Sequence, residues 1–293
     1  MKWILYKLFT LFAWLIALLP LNVLYVFSWK LYLILYYLAG YRRSIVEANL
    51  TSSFPEKSED EIKEISKKFY KHLADMFIEG IKIRHMTEKE LMKRFYFKNP
   101  ELVNKYTSQG RDAIAAFGHY GNWEWIVGIH RVLDARVLTV YKPLHNRYFD
   151  RYFLKLRSRY GMELVAMSST LRRIISYRKE GVNTLTALVA DQTPPKKDIQ
   201  FWTDFLNHDT PVYMGVEKLA RKFDMVVFFF KISKVKRGYY ELEAEVICDD
   251  AISLDEFELT RMHIKRLEKH ILEKPEYWLW SHRRWKHKKK MTQ

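Results

Sequence analysis

The sequence predicts an α/β fold in which a mostly parallel central sheet is flanked by helices and preceded by an N-terminal hydrophobic helical membrane anchor. Beyond Gly110, short apolar runs rich in β-branched or aromatic residues alternate with stretches of helical length. Such alternation is typical of βαβ crossovers and of a largely buried parallel sheet. The predicted strands lie in DAIAAFG, RVLTVY, MELVAM, NTLTALVA and DMVVFFF, and helices are predicted in NRYFDRYFLKLRSRYG and SSTLRRIISYRKEG.

The regions on either side of these runs extend the prediction. Residues 44–94 are expected to be helical, with Ser58 and Glu61 forming a capping box at one helix start. Near the C-terminus, KRGYY indicates a turn, and the alternation in YYELEAEVI predicts an antiparallel edge strand. A helix is expected over 253–273. Because no internal repeat or low-complexity linker divides the chain, residues 44–293 are predicted to be one domain that follows the segment 1–43.

The N-terminal segment is strongly apolar. From Leu8 to Trp29 there are 22 residues without a charge, which as a helix would be about 33 Å long and would match a hydrocarbon core of about 30 Å. A second apolar stretch, LYLILYYLAGY, follows. The first stretch is too long for a cleaved signal peptide, and no A-x-A-like site follows it. We expect these residues to span the membrane or to lie in its interface; two buried helices of a soluble protein are the alternative.

The charge balance indicates an anionic partner. Lys and Arg number 50 against 34 Asp and Glu, for a net charge of +16, and the final segment SHRRWKHKKKMTQ contains two Arg and four Lys with no acid. Nucleic acid, anionic lipid and an acidic carrier protein all fit such a surplus, and the predicted anchor favours the last two. Cys248 is the only cysteine, which excludes an intrachain disulfide and a multi-cysteine metal site.

One pair of residues stands out as a candidate for catalysis. His119 and Glu124 lie in AFGHYGNWEW, directly after a predicted strand and beside Gly118 and Gly121. Ligands bind at the carboxyl ends of parallel strands in α/β folds. Glu124 in the first turn of the next helix would reach back to the imidazole and orient it as a general base. Three other pairs share the spacing but lie in polar or charge-rich stretches: His85 with Glu90, His145 with Asp150, and His263 with Glu268.

The sequence lacks the motifs typical of zinc enzymes, nucleotide-binding enzymes and serine hydrolases. The chain contains no H-E-x-x-H, no GxxxxGK[ST], no GxGxxG and no G-x-S-x-G. Cys248 lies in an alternating strand without a basic neighbour to activate it. We therefore expect no metal, no cofactor and no covalent enzyme intermediate. A direct transfer, with His119 as base and an external hydroxyl as nucleophile, is the chemistry that these residues leave open.

Several separated blocks resemble the bacterial lipid A biosynthesis acyltransferases (the late, lauroyl- or myristoyl-transferring type) within the lysophospholipid acyltransferase superfamily. The blocks are GYRRSIVEANLTSSFPEKSEDEI, GHYGNWEW with its H-x-x-x-x-E signature, VYKPLHNRYFDRYFLKLRSRYG, ALVADQTPPKKDIQFWTDFLNHDTPVYMGVEKLARKF and PEYWLWSHRRWKHK. The similarity runs from about residue 41 to the C-terminus. It implies a glycerolipid-acyltransferase-like fold.

The resemblance also implies an activity: transfer of a fatty acyl group from acyl-acyl carrier protein, or from acyl-CoA, to a hydroxyl of a lipid A precursor in lipopolysaccharide biosynthesis. It assigns His119 and Glu124 to catalysis and Arg157, with Arg159 as the alternative, to the oxyanion. Asn122, Asp191 and Gln192 are expected to bind substrate, although Asp191 and Gln192 would equally suit a helix cap or loop.

Basic residues are expected to contact phosphates or the carrier protein, and they are Lys196, Lys197, Arg283, Arg284 and Lys286. The catalytic domain is expected on the cytoplasmic face of the bacterial inner membrane, without a nucleic-acid partner. Two other readings stay open: acylation of a different membrane lipid, such as a lysophospholipid, aminolipid or glycolipid, and a membrane-anchored basic binding protein without enzymatic activity.

Overall fold

A seven-stranded, mostly parallel sheet flanked by helices forms the centre of the computed structural model, which describes residues 2–289. The strands of the sheet are β1 (Phe95–Phe97), β2 (Ala113–Phe117), β3 (Arg136–Tyr141), β4 (Glu163–Ala166), β5 (Thr184–Val189), β8 (Val226–Lys236) and β9 (Tyr239–Cys248). Two further strands, β6 (Phe201–Phe205) and β7 (His208–Val212), form a separate antiparallel hairpin. The helices are α1 (Lys2–Leu18), α2 (Leu21–Leu33), α3 (Arg43–Ser53), α4 (Glu59–Lys82), α5 (Glu88–Arg94), α6 (Pro100–Thr107), α7 (Arg147–Arg157), α8 (Thr170–Lys179), α9 (Gly215–Phe223) and α10 (Glu258–Glu273). The predicted fold class is confirmed.

The order of strands in the sheet is β1-β9-β8-β2-β5-β3-β4. Every neighbouring pair is parallel except β8 with β9, which form the predicted antiparallel hairpin. The expectation that β9 lies at the edge is wrong, because β1 pairs parallel with it from Phe95 to Phe97. A three-residue strand gives too short a pattern to be recognised in the sequence. The hairpin of β6 and β7 was also not predicted, since Leu206 and Asn207 at its turn adopt positive φ without the usual Asn-Gly or Asp-Gly signature.

Strand β2 is buried on both faces, as the apolar run predicted. Ala113, Ala115 and Phe117 belong to one core cluster, and Ile114 and Ala116 belong to the cluster on the other face. The second cluster includes residues of α8, α9 and α10. Helices therefore cover both faces, which leaves the carboxyl ends of the strands as the accessible edge for chemistry.

The helical prediction for 44–94 is confirmed except at residues 54–58 and 83–87, which separate α3, α4 and α5. Ser58 and Glu61 form the expected capping box at the start of α4. The C-terminal helix α10 begins at Glu258 and not at residue 253. Residues 251–254 instead form a bend and residues 256–257 a turn, and Phe257, which precedes the helix, has a positive φ of 69°.

The N-terminal helices pack against the rest of the chain on one side only. Leu21 and Leu24 of α2 are buried in the main core, and Ser28 Oγ donates a 2.6 Å hydrogen bond to the Asp75 carboxylate of α4. A π-helical turn (Ile34–Leu38) prolongs α2, and Leu21–Leu38 is long and apolar enough to cross a membrane by length and composition. The outward faces of both helices are apolar and exposed; they carry Trp3, Leu8, Leu11, Phe12, Leu15, Leu18, Val23, Val26, Phe27 and Trp29.

Candidate active site

His119 and Asp191 lie side by side at the carboxyl edge of the sheet because of the pairing of β2 with β5. Phe117, at the end of β2, is the register partner of Val189, at the end of β5. His119 and Asp191 each lie two residues beyond these strand ends. His119 Nδ1 lies 2.6 Å from Asp191 Oδ1, and the His119 backbone N–H donates to Asp191 Oδ2 at 2.8 Å. The carboxylate thus holds both the ring and the backbone of His119.

The charge state of Asp191 determines the role of each His119 ring nitrogen. Burial alone would raise the pKa of Asp191, but its interactions with His119 and the indole N–H of Trp278 outweigh burial and hold this pKa at about 2. An ionised carboxylate only accepts hydrogen bonds, so Nδ1 must carry the proton and donate it to Asp191. The lone pair of His119 is therefore on Nε2, where a general base needs it.

Nε2 faces a second polar group, the side chain of Gln192. The Gln192 amide lies 3.2 Å from His119 Nε2 and can donate a hydrogen bond to the unprotonated nitrogen. The Trp123 ring meets the imidazole edge-on, with 5.0 Å between ring centroids. The His119 side chain keeps 18% of its surface exposed, so the imidazole is open to a reactant.

The two glycines of the loop have separate steric roles. A Cβ on Gly118 would lie 2.7 Å from Leu267 and 3.1 Å from the Asp191 carboxylate. Gly118 thus permits the close approach of Asp191 to His119. Gly121 has a φ of +60° and turns the chain toward the next helix.

Glu124 forms no hydrogen bond with the imidazole, whose two ring nitrogens face Asp191 and Gln192, so the expected orientation of His119 by Glu124 is wrong. Glu124 lies in the first turn of a 3₁₀ helix (Trp123–Arg131), as expected, but both of its oxygens accept from Arg157. The distances are 2.8 Å from Nε and 2.6 Å from Nη2. Burial would raise the pKa of Glu124, but the Arg157 guanidinium reverses this and lowers it. Asp191 takes the place that the sequence had suggested for Glu124.

A cavity of about 660 Å³ opens beside His119, at the carboxyl ends of β2, β3 and β5. Its polar lining includes His119, Glu124, Arg157 and Gln192. Most of the other lining side chains are apolar or aromatic: Phe117, Trp123, Ile126, Val127, Val140, Met167, Leu171, Leu188, Val189, Tyr213, Val216 and Leu219. An apolar cavity of this size with a few convergent polar groups is typical of a binding site for a small molecule or chain.

Two residues expected to bind substrate or the oxyanion do not reach this cavity. Asn122 is fully buried and donates to Glu79 Oε2 at 2.7 Å, so its side chain points into the protein. The Arg159 guanidinium reaches the Ile83 carbonyl at 3.4 Å and is absent from the lining. Arg157, two residues earlier and at the end of α7, lines the cavity instead.

The five basic residues expected to contact phosphates or the carrier protein differ in their exposure to solvent. Lys196, Lys197, Arg283 and Lys286 are exposed and remain available to an anionic partner. Arg284 is not, because its side chain is fully buried near the Phe205 ring. Burial lowers its pKa to about 10. Its assignment to a surface phosphate or carrier contact is therefore wrong. The last residues of the basic tail, 290–293, lie outside the described part of the chain.

The sequence did not identify the role of Trp278. Its indole Nε1 donates to Asp191 Oδ2 at 2.8 Å. Trp278 forms an antiparallel bridge with Tyr120, next to His119. The signal that was available is the WLW pattern of the C-terminal segment, but nothing in it says which loop it packs against.

Comparison with known proteins agrees with the geometry. The model of the family described as "Bacterial lipid A biosynthesis acyltransferase" matches residues 1–287. The match begins at residue 1, so the N-terminal helices belong to it, although the resemblance in the sequence blocks began near residue 41. A lipid A biosynthesis acyltransferase of Haemophilus influenzae is 21% identical over 274 residues, covering 92% of this chain and 83% of that protein. The chain belongs to the bacterial lipid A biosynthesis acyltransferase family and is an acyltransferase of lipid A synthesis.

Proposed function

We propose that this acyltransferase moves a fatty acyl group from an acyl thioester to a hydroxyl of a lipid A precursor, with His119 as general base and without an acyl-enzyme. The observation that supports this most strongly is the arrangement of His119. Its Nδ1 is held by Asp191, while Nε2 faces a largely apolar cavity that suits an acyl chain.

The reaction begins with deprotonation of the acceptor. The hydroxyl takes the place of the Gln192 amide at Nε2 and gives its proton to that nitrogen as its oxygen attacks the thioester carbonyl. The new C–O bond forms, the tetrahedral intermediate collapses, and the C–S bond breaks. The imidazolium then returns the proton to the departing sulfur. Asp191 stabilises the imidazolium between the two transfers, and general-base help of this kind is worth about 10²–10⁴-fold in rate.

The developing oxyanion requires a positive partner. Arg157 lines the cavity, and its guanidinium is fixed by the two hydrogen bonds to Glu124. A preorganised cation aimed at the thioester oxygen stabilises the transition state without reorganising during the reaction. In this proposal Glu124 acts on catalysis by orienting Arg157, not His119.

The donor is an acyl thioester of an acidic carrier protein, with CoA as the alternative. Both carry negative charge, and Lys196, Lys197, Arg283 and Lys286 are exposed. Lys196 and Lys197 follow the Asp191–Gln192 loop by a few residues, and Arg283 lies in the C-terminal segment that bonds to Thr193. This charge is therefore close to the active-site edge, where a carrier must deliver its acyl chain.

We propose that α1 and α2 lie in the membrane interface and do not cross the bilayer. The inner side of α2 is tied to the domain through hydrogen bonds of Ser28 with Asp75 and of Tyr25 with Glu79. The Lys82 ammonium of α4 donates to the Ala17 carbonyl of α1, and the outer sides of both helices are apolar. Leaving these contacts would withdraw Leu21 and Leu24 from the main core and would leave Glu79 Oε1 without its hydrogen-bond donor, which is costly. The attachment fits the cytoplasmic face of the bacterial inner membrane, where acyl carrier protein and the lipid precursor meet.

The test is the lipid A of cells that lack the gene. Mass spectrometry of lipid A from the deletion strain should show the loss of one acyl chain. Expression of the unaltered chain should restore it, and H119A at the same abundance should not. An unchanged lipid A accompanied by altered phospholipids would instead indicate another acceptor. Restoration by H119A would favour a binding protein without catalysis.

A further inference from the structure

The C-terminal segment after α10 lies against the loop that carries His119 and is joined to it by one isolated antiparallel bridge. The Leu279 N–H donates to the His119 carbonyl at 3.1 Å, and the Gly121 N–H donates to the Tyr277 carbonyl at 3.0 Å. These two bonds flank the bridge between Tyr120 and Trp278. The position of Trp278 along the loop is thus fixed by backbone hydrogen bonds on both sides.

That register directs the Trp278 indole at the carboxylate behind the base. Nε1 donates to Asp191 Oδ2 at 2.8 Å, and both side chains are almost completely buried. Asp191 therefore accepts three hydrogen bonds: one from the His119 ring, one from the His119 backbone and one from Trp278. The first two come from the residue that Asp191 orients, so among residues 2–289 the third is the hydrogen bond that fixes the carboxylate to another part of the fold.

From this geometry we propose that Trp278 is a positioning residue for the acyl transfer: its indole N–H fixes the Asp191 carboxylate and sets how strongly that carboxylate holds the His119 proton. The inference rests on the proposed role of His119 as general base. Tryptophans in a buried cluster commonly contribute packing alone, and Trp278 does contact Trp280 and Phe205. The hydrogen bond to a buried ionised group is the feature that packing does not require.

The direction of the effect follows from electrostatics. A donor to Asp191 Oδ2 withdraws charge from the carboxylate and makes it a weaker base. Removing that donor leaves a more basic carboxylate, which holds the imidazolium proton more tightly. Other titratable groups near the pair are His282 and Arg284 beside Asp191, and Glu124 near His119. They remain in place when only the indole is changed.

The chain provides a matched control for the substitution. Trp280 is fully buried, lies two residues further along, and donates its indole N–H to the Pro275 carbonyl at 2.6 Å. W278F and W280F therefore delete the same group from the same segment. Only W278F deletes a donor to Asp191.

The experiment is the pH dependence of kcat and KM for full-length, detergent-solubilised enzyme. For W278F we expect kcat to fall about tenfold with KM little changed. The acidic limb of the kcat/KM profile should move to higher pH by about 0.5 to 1 unit. W280F should keep the limb of the unaltered enzyme. An acidic limb that is the same in W278F, W280F and the unaltered enzyme would overturn the proposal.

A second measurement does not depend on the folding of W278F. In protein labelled with ¹⁵N at tryptophan, D191N should shift one indole N–H resonance, because a neutral amide replaces the charged acceptor. If no indole resonance moves, Trp278 does not donate to this side chain. The two proposals can fail separately: activity retained by H119A rejects the general base, whereas an inactive H119A with an unmoved limb in W278F rejects only the role of Trp278.

Discussion

His119 and Asp191 each lie two residues beyond a paired strand end, Phe117 of β2 and Val189 of β5, and their side chains meet at 2.6 Å. The base and its carboxylate are thus placed by the register of two adjacent parallel strands at the centre of the sheet. Because both strands are buried, a slip in this register would disrupt the core, so the geometry of the pair is as stable as the sheet itself.

The first prediction concerns Glu124 and Arg157 as one unit. R157Q should lower kcat by about 10²–10³-fold, the cost of losing an oxyanion donor. E124Q should lower it less, because the guanidinium remains but is held loosely. The double variant should be about as slow as R157Q alone, since residues that act as a unit have non-additive effects.

The control for this cycle is the ion pair of Glu163 with Arg173, which also has a 2.6 Å contact but does not line the active-site cavity. E163Q and R173Q should leave kcat nearly unchanged. If the losses from E124Q and R157Q multiply in the double variant, Glu124 acts independently of Arg157, as the sequence pattern had suggested.

The second prediction concerns the absence of an acyl-enzyme. Cys248 is buried, and burial raises the pKa of its thiol, which makes it a poor nucleophile. C248A should therefore transfer acyl groups at the normal rate. Rapid mixing of enzyme with donor alone should release no stoichiometric burst of thiol. A burst that disappears in C248A would refute direct transfer.

The sequence predicted β2 to β5, β8 and β9, though not β1 or the hairpin of β6 and β7, and with them the edge of the sheet where the cavity opens, because those signals are local. It also put Asp191 and Gln192 at the same edge as His119. The sequence could not predict that Asp191 is the hydrogen-bond partner of the imidazole, because this depends on which strand pairs with β2. Glu124 is near His119 in the chain, yet the 3₁₀ helix turns it toward Arg157, which arrives on α7.

A similar limit applies to residues whose function depends on distant packing. Asn122 was expected to bind substrate from the family resemblance, and Arg284 was expected to contact phosphates or the carrier protein as part of a basic surface. Asn122 instead bonds to Glu79 of α4, and the Arg284 side chain is fully buried. Trp278 had no role assigned from the sequence, and the bridge with Tyr120 brings its indole to Asp191. The positions of all three side chains depend on contacts with residues that are distant in the sequence.

The third prediction separates the two sides of the N-terminal helices. Leu11 and Phe12 lie on the outer face and are more than half exposed. L11E/F12E should reduce binding to anionic vesicles at least about 100-fold, because two large apolar side chains no longer enter the bilayer. Its unfolding midpoint in detergent should change little.

The inner side provides the control. Leu24 is fully buried in the main core. L24A should lower the free energy of unfolding by about 2–5 kcal/mol while the folded protein still binds vesicles. Vesicle flotation and thermal unfolding measure the two effects. Full vesicle binding by L11E/F12E would show that these helices are not the membrane contact.

The fourth prediction is a loss of stability in mild acid. Burial lowers the pKa of His263 and of His270 to about 4, whereas both would titrate near 6.5 in the unfolded chain. Between these values the unfolded state binds more protons, so stability is complete above about pH 6.5 and declines as the pH falls toward 4. Each histidine contributes up to about 1.4 kcal/mol per pH unit.

Denaturant unfolding at pH 7.5 and pH 5 checks this slope. H263Q cannot titrate, so its stability should fall less between the two pH values than that of the unaltered protein. Equal stability at both pH values would mean that these histidines are not held neutral in the folded state.

The most direct test of the account is the activity of D191N beside a matched substitution at the opposite end of β2. Asp112 precedes β2, is buried, and pairs with Arg178. With acyl thioester and lipid A precursor, D191N should lose about 10²–10⁴-fold in kcat with KM nearly unchanged. Folded D112N should retain most of its activity. A D191N enzyme within a few-fold of the unaltered rate would contradict the claim that Asp191 holds His119 as the catalytic base.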